Sequence, residues 1–217
     1  MKYKNLSLLA SKLLKKGEKY LKEKWIQSRL KENGSNKASR IPTYTTKDEL
    51  YMLHDLAIAC PNKANVVEIG SYLGASTCYL AAGLIGKKAS LYCIDTWKNE
   101  TMPDGRKDTF KEFHDNLLNV ETKIIAIRKN SKKVSANELP KKIALAFIDG
   151  DHSLSAVIND VQLVLVKMEK RSVIAFHDAI YFKGVSMAIG KILASGKWKI
   201  EGQVNNLVWL RQHNFEK

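Results

Sequence analysis

Cysteine is scarce. Cys60, Cys78 and Cys93 are the only three in 217 residues, and each lies in an apolar stretch. So odd and sparse a set excludes a disulfide framework and fits reduced thiols in a core. Long apolar runs are missing as well. None approaches the ~18 residues of a membrane-spanning helix. A secretory leader needs about 7–15 uninterrupted apolar residues near the start, whereas residues 1–25 carry a Lys every few positions. The expectation is a cytoplasmic protein. Internal repeats and low-complexity tracts are absent. Acidic residues are rare at one end: residues 1–47 hold 13 Lys and Arg against 3 Glu, and the other 170 residues hold 23 basic against 19 acidic. The net charge of +14 therefore belongs mainly to the N-terminus.

Apolar spacing predicts a helix over residues 3–31, built on Leu6, Leu9, Leu13, Leu14, Tyr20, Leu21, Trp25 and Ile26, with Gly17 as a point of bending or division. Glu32–Ser39 has linker chemistry, which separates a basic helical extension (1–44) from a body (45–217). A second helix, capped by Thr45 or Thr46, is expected over Lys47–Ala59. Beyond it strands alternate with helices. The strands are Val66–Ile69, Leu91–Ile94, Lys123–Ile127, Ile143–Ile148 and Ser172–Phe176. The helices are Ala75–Ile85, Asp108–Leu118, Leu154–Met168 and Val185–Ala194. Trp198–Gln203 and Leu207–Arg211 flank an Asn205–Asn206 turn. Strands that are apolar throughout need cover on both faces. The predicted fold is therefore α/β and Rossmann-like: a doubly wound, mostly parallel seven-stranded sheet with a C-terminal antiparallel hairpin and N-terminal helices.

Glu68-Ile69-Gly70-Ser71-Tyr72-Leu73-Gly74-Ala75-Ser76 joins a strand to a helix start. The dinucleotide fingerprint would be GxGxxG. Here a carboxylate precedes a wider ExGxxxG loop; it would repel a pyrophosphate and suits a ligand carrying an ammonium and a sulfonium. Asp95, 21 residues after Gly74, ends the next strand where an acid reaches ribose hydroxyls. Asp149-Gly150-Asp151-His152-Ser153 and His177-Asp178 end two further strands, beyond which ligands bind in open parallel sheets. Such oxygen-rich clusters suit Mg²⁺, Mn²⁺ or Ca²⁺. Asp151 and Ser153 equally suit a helix cap.

At VEIGSYLGAST, YCIDTW, FIDGDHS and FHD the chain resembles the class I S-adenosylmethionine-dependent methyltransferases. More narrowly it is similar to bacterial small-molecule O-methyltransferases of the macrocin-type and cephalosporin-hydroxylase-like group, over about residues 48–211. The resemblance implies S-adenosylmethionine as cofactor and a small-molecule hydroxyl, such as a sugar's, as acceptor. It implies cofactor contacts at Glu68, Gly70, Ser71, Gly74, Ser76, Asp95, Trp97, Asn130, Ser131 and Asp149. Asn130 stands where the family usually has an acid. Asp149, His177 and Asp178 are the implied ligands of a divalent metal such as Mg²⁺, with His177 where relatives carry an acid. Asp149, His152 and Asp178 are the implied catalytic set, with Asp149 or His152 taking the acceptor's proton. Thr96–Lys107, with Trp97 and Met102, reads as a lid or as an ordinary loop. A nucleic-acid methyltransferase is the alternative suggested by the charge, against which stand the confinement of that charge to one helix and the lack of an NPPY-like tetrapeptide. A catalytically silent cofactor-binding module is the other. The basic helix is expected to pack on the body or on a second subunit, with peripheral membrane contact as the rival reading. Residues 1–40 are expected to contribute nothing to the cofactor site.

Overall fold

The computed structural model describes residues 2–100 and 105–213. The expected alternation is present, as a seven-stranded sheet in the order β3-β2-β1-β4-β5-β7-β6. Its strands are β1 (Asn65–Ile69), β2 (Ser90–Asp95), β3 (Lys123–Arg128), β4 (Ile143–Ile148), β5 (Met168–Phe176), β6 (Trp198–Val204) and β7 (Leu207–Gln212). The first five run parallel; β7 lies antiparallel between β5 and β6. Chain order reverses between β1 and β4, so the crevice beyond their carboxyl ends is the topological switch point.

The helices are α1 (Lys2–Glu32), α2 (Lys47–Ile58), α3 (Ala75–Gly83), α4 (Phe110–Leu117), α5 (Leu154–Leu165) and α6 (Lys183–Ala194). One core layer joins α5 and α6 to the sheet through Val157, Val161, Val185 and Ile189. The opposite layer joins α2, α3 and Phe113 of α4 through Leu53, Leu56, Leu80 and Leu84. β4 is buried along its whole length because it is covered from both sides. Cys60, Cys78 and Cys93 are all buried free thiols.

Four local expectations need correction. α1 is continuous through Gly17; a single glycine costs a helix only about 1 kcal/mol. It ends where Gly34 turns to φ +76°, with Gly34 N–H donating to the Lys31 carbonyl and Ser35 N–H to that of Leu30. Glu32–Ser39 is not a free linker: Asn33, Ser35 and Ala38 are buried, and Asn33 Oδ1 accepts from both the amide and the hydroxyl of Thr122. α5 stops at Leu165 and β5 starts at Met168, earlier than expected, because Leu165 and Val166 are exposed and Met168 pairs with Ile143. In α4, Phe113 is buried but Leu118 is 63% exposed, so the expected apolar side stops at Leu117.

Ile26, Leu30, Ala38 and Ile41 pack with Leu73 and Tyr79. The second half of the N-terminal extension therefore supports the β1–α3 loop from behind. No helix among the described residues is long and apolar enough to cross a membrane.

Candidate active site

The β1–α3 loop is tied internally. Gly70 (φ +91°) and Gly74 (φ +88°) occupy the left-handed region that favours glycine. A Cβ on Gly70 would stand 2.0 Å from the Asp149 carbonyl oxygen, so this glycine lets the ends of β1 and β4 close together. A Cβ on Gly74 would meet the Phe113 ring at 3.2 Å. Gly74 thus serves the backbone turn and the packing of α4.

Glu68 is completely buried. Ser76 and Thr77 hydroxyls donate to it at 2.6 Å each and Ser71 Oγ at 2.8 Å. Burial holds its carboxyl above the usual range against the pull of these hydroxyls. Hydrogen bonding on this scale is what a buried carboxylate requires. Glu68, Ser71 and Ser76 thus form an internal brace of the loop, their side-chain polar atoms facing one another. Trp97 belongs to the same brace. It is fully buried, donates from Nε1 to the Tyr72 carbonyl, and packs 4.6 Å from the Phe113 ring and 4.9 Å from Phe110. It pins the loop. Met102, the other residue of the expected lid, lies outside the described residues.

Asp95, half-buried at the end of β2, faces the loop. Its carboxylate accepts from the amides of Ser71 and Tyr72 at 2.9 Å and of Trp97 at 2.7 Å. It locks the backbone and still borders the crevice. Asn130 Oδ1 caps the short turn Ser131–Lys133 through the Lys132 amide, leaving its amide nitrogen outward. Ser131 lies half-buried beside it, bonded to Asp160 of α5.

Across the crevice, the ends of β4 and β5 bring charged groups together. His152 Nε2 is 3.0 Å from Asp178 Oδ2. The buried His177 ring sits between carboxylates: Nδ1 is 3.2 Å from Asp149 and 3.6 Å from Asp178, and Nε2 is 3.3 Å from Glu49. Burial alone would lower the His177 imidazole, but Asp149, Asp178 and Glu49 raise it to about 12. Glu49 is pulled down to about 2 despite burial, by His177, Thr46 and Asn206. Burial raises the Asp149 carboxyl even though His177 opposes it. Asp178 falls below the usual carboxylate range, because His152 and His177 outweigh its burial. Two neighbouring acids are thus driven apart, and Asp149 is the better proton acceptor.

Glu49 and Asn206 were not legible as site residues. Glu49 fits a capping box with Thr46, and that is how it begins α2. Its other contacts are long-range: to His177, and from the Asn206 amide at 2.8 Å. Asn206, in the hairpin turn, donates from Nδ2 to Asp178 Oδ1 at 2.5 Å. The turn reads as a turn and nothing more. Asp151 and Ser153 follow the capping reading: Asp151 accepts from the Ser153 amide at 2.7 Å, and Ser153 Oγ from that of Ala156.

Asp149, His152 and Asp178 bring one ligand atom each to within 4.8 Å of one another. His177 stands outside this group, with both its nitrogens facing carboxylates. Beside the cluster, Ile180, Tyr181 and Phe182 are 57%, 81% and 43% exposed. Phe182 packs on His152 with ring centroids 4.1 Å apart.

A family model described as a methyltransferase domain matches residues 67–179. Curated protein sequences give no significant match. Among solved structures, the fold is similar to the O-methyltransferase NovP, at 11% identity and TM-score 0.64, over 76% of this chain and 79% of that one. It is also similar to CalS11, a TDP-rhamnose 3'-O-methyltransferase of calicheamicin biosynthesis, at 16% identity and TM-score 0.59, over 91% and 95%. The Podospora anserina methyltransferase PaMTH1, solved with S-adenosylhomocysteine bound, matches at 14% identity and TM-score 0.60, over 88% and 94%. At these identities the likeness is one of fold. The family match spans the glycine loop, Asp95, Asp149 and Asp178 together, and the chain belongs to the methyltransferase domain family as an S-adenosylmethionine-dependent enzyme.

Proposed function

We propose that the acceptor is a hydroxyl of a small molecule, most readily a sugar or comparable hydroxylated ring. The observation that carries this reading is the meeting of Asp149, His152 and Asp178 across the crevice from the glycine loop, beside the exposed Ile180–Phe182 segment. A charged cluster next to an aromatic platform suits a ligand with hydroxyls on its edge and an apolar face. NovP and CalS11, the latter a sugar methyltransferase, share the fold and favour the same acceptor class.

S-adenosylmethionine, when bound, supplies a methyl group already activated on a sulfonium. The crevice rim of Gly70, Asp95, Asn130, Ser131 and Gly150 would hold it, and the brace behind Gly70 keeps that rim rigid. The protein's remaining tasks are to align the acceptor oxygen and remove its proton. Asp149, with its raised carboxyl, takes that proton. Asp178 holds His152 in place. His177, ion-paired to Asp149 and Glu49, orients Asp149 and offsets the negative charge around it. A divalent cation would be held by Asp149, His152 and Asp178, where it would lower the pKa of a hydroxyl oxygen. Two carboxylates and one imidazole form a donor set compatible with Mg²⁺ or Mn²⁺.

The test is S-adenosylhomocysteine release, followed against sugar nucleotides, phenols and RNA, with and without EDTA. Turnover on a hydroxylated small molecule is the expected result; methylation of RNA alone would overturn the acceptor class. Turnover indifferent to EDTA would remove the metal and leave the Asp149 role standing.

A further inference from the structure

α1 presents its faces in an unusual way. Where it meets the body it buries Ile26 and Leu30 and is clamped by ion pairs to α2: Lys19 with Asp48, Lys22 with Asp55, and Glu23 with Lys47. Away from that contact, Leu14 and Leu21 are each 68% exposed and Tyr20 58%; Trp25, 47% exposed, sits at the border, its ring edge-on to His54 of α2 with centroids 5.2 Å apart. Leu14, Leu21 and Trp25 are spaced by seven and four, which places them on one stripe of the helix. Cations flank it on one side: Lys24 and Lys31 are exposed, and the Lys24 ammonium lies 5.5 Å from the Tyr20 ring centroid. Two lysines of the helix are thus paired with acids of α2, while Leu14 and Leu21 face outward.

We propose that α1 is a docking face for an anionic lipid surface, on which it lies without crossing. Charge complementarity selects this occupant. Residues 1–47 carry thirteen basic side chains against three acidic ones. A second copy would bring the same excess within a Debye length of about 8 Å and repel it. A phosphate backbone would satisfy the lysines and offer nothing apolar to Leu14, Leu21 or Trp25. A lipid interface satisfies both. The proposal stands apart from the acceptor reading, since it concerns none of the crevice residues.

The experiment uses the full chain and vesicles of phosphatidylcholine with or without phosphatidylglycerol. Trp25 is half-exposed while Trp97, Trp198 and Trp209 are buried, so a change in tryptophan emission reports on α1. The expected result is co-sedimentation and a blue shift with the anionic vesicles only, weakened by salt. Leu14→Glu with Leu21→Glu should abolish both, with S-adenosylhomocysteine binding and circular dichroism unchanged. Lys24→Gln with Lys31→Gln should lower partitioning roughly 10- to 30-fold. No binding to anionic vesicles, or binding that survives the Leu substitutions, would overturn the proposal. So would a dimer in analytical ultracentrifugation that the Leu substitutions dissolve, or binding to random-sequence RNA without vesicle binding.

Discussion

The two sides of the crevice are held by different kinds of contact. On the cofactor side, Glu68 is bonded by Ser71, Ser76 and Thr77, and Asp95 by the amides of Ser71, Tyr72 and Trp97. With Cys93 Sγ, a further donor to Glu68, every partner lies within 25 residues of its acid, and all of them are neutral donors. On the acceptor side, Asp149, His152, His177 and Asp178 depend on Glu49 and Asn206, which stand 128 and 28 residues from the partners they contact, and the contacts are mainly between charges. A loop built from near neighbours behaves as a rigid module. A cluster assembled from α2, β4, β5 and the β6–β7 turn depends on the whole fold and concentrates charge where chemistry requires it.

This contrast can be broken most forcefully at Glu49. Glu49→Ala removes a buried partner of His177, and such losses cost about 3–5 kcal/mol. Urea unfolding should show that loss, with turnover falling too; unchanged stability would mean the long-range contacts hold nothing together.

Asp149→Asn should lower turnover about 10²- to 10⁴-fold, the range of a lost general base, while calorimetry finds S-adenosylhomocysteine affinity nearly intact. Loss of affinity instead would erase the division between the two sides. Asp160 sharpens it from behind. Burial raises its carboxyl to about 6 against the bonds from Ser131 and Asn159. Its contribution to stability is therefore present below the ordinary carboxylate range and is lost as pH rises through about 6. Urea midpoints at pH 4.5 and 7.5 should diverge less in Asp160→Asn than in the native chain, by at most about 3 kcal/mol.

The smallest effect is expected at Asp95. Asp95→Ala should weaken S-adenosylhomocysteine binding by about 1–3 kcal/mol, read by calorimetry, with NAD failing to bind either protein. If NAD bound and S-adenosylhomocysteine did not, the ExGxxxG reading would fail. Deletion of residues 1–39 tests how far the loop is self-sufficient. Because Ile26, Leu30 and Ala38 back Leu73 and Tyr79, the shortened chain should lose stability, and retained S-adenosylhomocysteine binding in what remains folded would bear out the expectation that residues 1–40 contribute nothing to the cofactor site.

Local patterns in the sequence determined a great deal about this protein. Continuous apolar strands between helices specified a parallel sheet, because such strands must be covered on both faces. ExGxxxG followed by Asp95 marked the switch point, and the strand-end acids Asp149 and Asp178 marked its other rim, since strand ends in such a sheet converge. What spacing cannot express is direction. It could not tell that Glu68, Ser71, Ser76 and Trp97 turn inward, because a buried carboxylate must be met by donors and the nearest hydroxyls meet it. Nor could it find Glu49 and Asn206, whose local roles as cap and turn are complete in themselves. Tertiary structure alone decided that His177 turns both nitrogens to carboxylates while His152 pairs with Asp178, because only the folded sheet brings α2 and the hairpin turn to the ends of β4 and β5.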